Sequence, residues 1–121
     1  MTKRLIEFVE LGGYPDLSSV YKEMGYEVET LFTARKAVSA IKKRRPDVIV
    51  GEFNFQNEFR DRISNLESVL AAVAHLDGVK IIVFYQPSES EIFETFKERF
   101  PAILTVAHPI DVARIGELLK Y

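Results

Sequence analysis

Apolar residues along this chain switch repeatedly between strand spacing and helix spacing, and the switches fall at glycine and proline. "RLIEFVE" is a short strand-type run ended by Gly12 and Gly13. Pro15 and Asp16 then open a segment in which Leu17, Val20, Tyr21 and Met24 recur at i, i+3, i+4 and i+7, the repeat of one helix face, until Gly25 closes it. "YEVETLF" alternates with period two. After it, Thr33 is placed to cap a helix with Ala34, Ala37, Val38 and Ile41 on one side, and Pro46 stops that helix. "DVIVGEF" is apolar without alternation up to Glu52, which predicts a strand buried on both faces and therefore central.

The same alternation fills the second half. "RDRISNLESVLAAVAHL" carries Ile63, Leu66, Val69, Leu70 and Val73 on one stripe, and Asp77-Gly78 ends it. "VKIIVFY" is a fourth strand, again continuously apolar. Ser88 and Glu91 have the S-x-x-E spacing of a capping box ahead of Ile92, Phe93 and Phe96, and Pro101 ends that helix. "AILTV" is the fifth strand, His108-Pro109 a turn open to a cis bond, and Asp111 the cap of a last helix bearing Val112, Ile115, Leu118 and Leu119. Five strands alternating with five helices predict an α/β fold: a doubly wound parallel sheet with helices on both faces, in one domain spanning residues 1–121. In such sheets, binding and chemistry gather beyond the carboxyl ends of the strands. Those ends carry Glu10, Glu52, Tyr85 with Gln86, and His108.

Composition narrows the chemistry. Hydrophobic residues make up 47% of the chain and include nine Phe, ample for one core. A net charge of -2, from 16 basic and 18 acidic residues, gives no long-range field to attract a polyanion, so nucleic acid is not implied. The absence of cysteine excludes disulfides, thiolate nucleophiles and Cys-based zinc sites. The two histidines lack metal-ligand spacing, and no serine stands in a G-x-S-x-G elbow. No apolar run approaches the roughly 20 residues of a membrane span, and the basic start is broken by Glu7 and Glu10. The expectation is a cytoplasmic protein with no cofactor and no bound metal.

With "RRPDVIVGE" leading to the end of the third strand and "AHPID" after the fifth, the chain resembles the receiver domain of bacterial two-component response regulators over essentially its whole length. The resemblance implies a flavodoxin-like sheet in the order 2-1-3-4-5. It also implies a phosphorylation pocket: an acidic pair after the first strand for magnesium, a phosphoacceptor aspartate after the third, a Ser or Thr after the fourth, and a lysine before a proline after the fifth. Here "FVEL" supplies Glu10 but then Leu11. The phosphoacceptor place holds Glu52, the Ser/Thr place Tyr85 or Gln86, the lysine place His108, and the place of the switch aromatic Thr105. A carboxylate one methylene longer is displaced from in-line attack, so the resemblance implies a degenerate, pseudo-receiver pocket without catalytic residues.

Several of these residues also have a plainer reading. Glu52 is either the remnant of a phosphorylation site, with His108 as its candidate partner, or a carboxylate that reaches solvent and bonds loop amides. Gly12-Gly13 reads as a tight turn more readily than as a phosphate cradle, because neither the dinucleotide fingerprint nor a P-loop lysine follows. "KKRRP" reads as a solvated helix end, and His75 as a residue suited to a helix C-terminus. "EFNFQNEFRDR" places Phe53, Phe55 and Phe59 beside the pocket, as a lid folded over it or as an exposed interaction patch. The function expected is a non-catalytic signalling or regulatory module. It would bind a protein partner, with a homodimer among the arrangements, through the last two helices, the fifth strand and the Phe-rich loop. Retained magnesium or phosphate binding, and small-molecule sensing in the altered pocket, are the alternatives.

Overall fold

The structure, a computed structural model, describes residues 3–13, 15–55 and 64–120. The elements follow in the order β1 (Lys3–Phe8), α1 (Ser18–Glu23), β2 (Tyr26–Leu31), α2 (Ala34–Lys43), β3 (Val48–Glu52), α3 (Leu66–Val73), β4 (Lys80–Tyr85), α4 (Ser90–Arg99), β5 (Leu104–Ala107) and α5 (Val112–Leu118). A 3-10 turn, Pro87–Glu89, leads into α4. All strand pairs are parallel and the sheet order is β2-β1-β3-β4-β5, as the sequence pattern and the resemblance together predict.

Two cores result, one on each face. Ile6, Phe8, Ile49, Phe53 and Val83 meet α2, α3 and α4 on one side. On the other, Leu5, Val48, Val50, Ile82 and Phe84 meet Tyr21 of α1 and Ile115 of α5. Successive strand residues point to opposite faces, so a strand that serves both cores is apolar at every position. Every residue of β3 is accordingly buried.

Local signals set most boundaries. Asp16 accepts the Ser18 N–H at 3.0 Å ahead of α1, Thr33 accepts the Lys36 N–H at 3.2 Å at the start of α2, and Asp111 accepts the Ala113 N–H at 3.0 Å at the start of α5. The carbonyl end of α2 is closed from outside the helix. The buried Arg4 of β1 donates to the carbonyls of Ala40 and Arg44 and pairs with Glu29 of β2 at 2.6 Å. A guanidinium offers several fixed donors, which suits it to this three-way tie between β1, β2 and α2.

Two expectations are corrected. The Ser88/Glu91 capping box does not form; the 3-10 turn precedes α4, whose start has no side-chain cap. Pro87, at the first position of that turn, favours the tighter entry. The box instead lies at α3: Ser64 Oγ accepts the Leu66 N–H at 3.3 Å and Glu67 accepts the Ser64 N–H at 3.2 Å. The described helix therefore begins at Leu66, while Ile63 lies outside the described residues. Val112, assigned to the buried stripe of α5, is 38% exposed, because Ile115 and Leu119 fill that contact.

Gly51 has a packing role. A Cβ built there would lie 2.6 Å from Leu66 Cδ1, so the first turn of α3 sits directly on the backbone of β3. Leu66 is fully buried and cannot withdraw cheaply. Gly51→Ala is therefore expected to cost about 1–3 kcal/mol of stability, the usual range for overpacking a core. Urea unfolding checks this; an unchanged midpoint would show that α3 is not seated on the strand.

Candidate functional site

The carboxyl ends of β1, β3, β4 and β5 form one rim, with Glu52 beneath it. Glu52 is only 3% exposed, although it is the last residue of the central strand. Its carboxylate is enclosed by the loop after β1. The backbone N–H groups of Glu10 and Leu11 donate to Oε1, and that of Gly12 reaches Oε1 at 3.2 Å and Oε2 at 3.1 Å. Asn54 Nδ2 adds a contact at 3.4 Å. Three successive amides converging on one anion make a nest, and the positive φ of Gly12 (77°) and Gly13 (87°) turns the chain away just beyond it. The two-glycine turn thus cradles an anion supplied by the chain itself.

A second carboxylate lies beside the first. Glu10 accepts from Asn65 Nδ2 at 2.8 Å and from Asn54 Nδ2 at 3.5 Å, so the loop after β1 is tied to the segment leaving β3 and to the start of α3. Asn54 and Asn65 are the residues that sequence reasoning missed. Their only signal is the polar amide they offer within an aromatic segment and before a helix.

The remaining rim residues divide. His108 follows β5; its N–H donates to the Tyr85 carbonyl at 2.9 Å, its ring stands edge-on to Phe84 with centroids 6.4 Å apart, and the bond to Pro109 is cis. No ion pair joins it to Glu52 among the described residues, so the expected Glu52–His108 partnership is replaced by backbone amides. Tyr85 turns away from the nest and stacks on Phe93 of α4, with centroids 4.2 Å apart and planes 10° from parallel. Gln86 is exposed and begins the 3-10 turn, its carbonyl accepting from Glu89.

The Phe-rich segment also divides. Phe53 is 1% exposed and packs on Phe93 and Phe96, with centroids 5.0 and 4.9 Å away, so its assignment to an interaction patch is corrected: it belongs to the core. Parity explains this, since Glu52 and Phe53 are consecutive and point to opposite faces. Phe55 is 40% exposed and remains accessible, while Phe59 lies outside the described residues.

These surroundings do not fit magnesium. The second acidic place holds Leu11, 79% exposed, and the oxygens of Glu10 and Glu52 already face N–H donors, whose positive ends repel a cation. Among the described residues, no group of three or more His, Asp or Glu side chains is arranged to hold a metal ion. Nor is any described helix long and apolar enough to cross a membrane.

Electrostatic strain falls on Glu7 of β1. Burial raises its pKa above the ordinary 4.5; the hydrogen bond that Thr30 Oγ1 donates at 3.0 Å opposes the rise, and the charges of Asp16 and Glu52 add to it.

No family model and no curated protein sequence matches the chain. Solved structures do. The Vibrio cholerae chemotaxis protein CheY4 aligns with a TM-score of 0.74 at 19% identity, covering 99% of this chain and 98% of that one. A CheY-like response regulator receiver domain protein from Methanospirillum hungatei gives a TM-score of 0.77 at 18% identity over 99% and 92%. A response regulator from Burkholderia multivorans gives 0.71 at 20% over 98% and 93%. The fold is therefore that of CheY-like receiver domains.

Two outcomes are expected at this site. Glu52→Ala empties the nest and should destabilise the protein by about 1.5–3 kcal/mol or more, the usual worth of hydrogen bonds to a charged group. Added phosphate should raise the melting temperature of this variant more than that of the wild type, and equal responses would show that the amides are not an anion cradle. For Glu7, the folded pKa lies above the unfolded one, so the native state loses stability as pH rises from the ordinary glutamate range through the raised value. The stability of Glu7→Gln relative to wild type should therefore increase between pH 4 and pH 7, as read by denaturant midpoints; a pH-independent difference would contradict this.

Proposed function

We propose that the chain is a degenerate member of the receiver family: a cytoplasmic signalling or regulatory module that has lost the phosphoacceptor aspartate and acts by binding a protein partner, without catalysis. The observation that carries this reading is the burial of Glu52 in the amides of the loop after β1. A phosphoacceptor must present an oxygen to an incoming phosphoryl group, with a cation to offset the charge that develops. The Glu52 oxygens are spent on N–H donors, and the neighbouring acidic pair is reduced to Glu10.

The same arrangement supports a rim held in one state. In a receiver that is switched by phosphate, charge arrives and leaves at this rim. Here a fixed carboxylate sits permanently on the loop, so signalling by this chain would depend on its abundance or its partner. The partner surfaces in this reading are the exposed Phe55 beside the rim and the side formed by α4, β5 and α5, where Leu104 and Val112 are 37% and 38% exposed. Self-association through that side is one arrangement within it.

Incubation with acetyl phosphate and magnesium, followed by intact-protein mass spectrometry, tests the reading. The expected spectrum is unchanged, both for wild type and for Glu52→Gln. A phosphate adduct on the wild type that disappears in Glu52→Gln would establish a working acceptor and end the proposal.

A further inference from the structure

The face built by α2 and α3 adjoins the rim at Asn65, which holds Glu10 and also lines the first of two cavities there. A cavity of about 660 Å3 lies between the two helices, bounded by Arg35, Val38, Lys42 and Ser68 among others. A second, of about 650 Å3, shares Val38, Lys42 and Ser68 with it and continues towards the C-terminal ends of both helices. Together they form one trough. Its floor is aliphatic, made by Val38, Ile41, Ala71, Ala72 and Leu76. Its margins are cationic: Arg35, Lys42, Lys43, Arg44 and Arg45 are all exposed, with the imidazole of His75 on the α3 side. Among the described residues that line it, none is acidic.

Five of the chain's 16 Lys and Arg therefore border one trough, in a protein whose net charge is -2. Neighbouring carboxylates offset little of this. Glu27 pairs with Arg44 at 3.4 Å, both more than half exposed, while Glu29 is taken by Arg4 and Glu67 by Arg99. Arg35, Lys42, Lys43 and Arg45 form no ion pair among the described residues. Helix electrostatics accounts for Lys42 and Lys43, which stand in the last turn of α2. It does not account for Arg35, which stands near the N-terminus of a helix with no acidic residue in its first turn. Nor does it explain an open aliphatic floor between the cations.

We propose that this trough docks an acidic amphipathic helix of a partner protein. The ten residues of α2 span about 15 Å at 1.5 Å per residue, room for about three turns of a docked helix. Apolar side chains at i, i+3 or i+4, and i+7 of the partner would rest on Val38, Ala72 and Leu76, and its flanking carboxylates would meet Arg35, Lys42, Lys43 and Arg45. A phosphate backbone would satisfy the cations but leave the aliphatic floor unmatched, and the floor offers no aromatic ring for a base to stack on. The acidic stripe of this chain's own α4, with Glu91, Glu94 and Glu98 exposed, has the charge but presents only Thr95 between the carboxylates as an anchor.

The test titrates the full chain, 15N-labelled, with a synthetic peptide of about fourteen residues carrying leucine at i, i+4, i+7 and i+11 among glutamates. A scrambled peptide of identical composition, a DNA duplex and sedimentation of the chain alone complete the set. The expected result is saturable shifts confined to α2 and α3 with the amphipathic peptide. They should weaken about tenfold or more in Lys42→Glu/Lys43→Glu and fall further with salt, as a charge-complementary contact requires. Thermal melts of the variant confirm that it is folded. Equal binding of the scrambled peptide, tighter binding of DNA at the same residues, shifts on another face, or no saturation would each overturn the proposal. So would self-association abolished by Glu94→Lys/Glu98→Lys, which would give the trough to a second copy.

Discussion

A buried carboxylate that accepts successive backbone N–H groups organises the top of this molecule. Glu52 sits at the end of the central strand, where an uncompensated negative charge would carry a large desolvation penalty. The loop after β1 removes that penalty by turning the amides of Glu10, Leu11 and Gly12 onto it. The dependence runs both ways, because those amides would otherwise be left without acceptors at the edge of the sheet. Glu10, held by Asn54 and Asn65, extends the tie to the start of α3.

Strand parity joins this polar cluster to the core. Glu52 points to the loop, and its neighbour Phe53 points to the opposite face, into the rings of Phe93 and Phe96. Tyr85 enters the same aromatic group by stacking on Phe93. Two residues that looked like furniture of the rim, Phe53 and Tyr85, are therefore anchors of α4. One strand end fixes both the loop above it and the helix beside it, and Gly51 allows α3 to close against that strand. The two rim carboxylates, Glu10 and Glu52, are each engaged by amide N–H groups.

Most of the architecture was legible in the sequence because each element carries its own period and its own stop. Pro46, Gly25 and the caps at Thr33 and Asp111 mark boundaries by local chemistry, and the unbroken apolar run of β3 gives its central place. What failed depended on choices between local options of similar worth: Ser88/Glu91 and Ser64/Glu67 share one motif, and only the latter forms hydrogen bonds. The site was legible in its location and not in its wiring. Sequence gathers Glu10, Glu52 and His108 at the strand ends and leaves Glu52 two readings, a partnership with His108 or bonds to loop amides; the amides hold it, away from solvent, and no spacing chooses between the two. Backbone donors have no letter in the sequence. Gly12 and Gly13, read as a turn, are a turn that doubles as an anion cradle.

Amide hydrogen exchange at Glu10, Leu11 and Gly12 addresses the central claim most directly, because it reports on those N–H groups individually in the native protein. The account predicts slow exchange at all three in the wild type, and acceleration at those positions in Glu52→Ala under conditions where the strands stay protected. Exchange at the rate of an open loop in the wild type, or rates unaffected by removing the carboxylate, would contradict it.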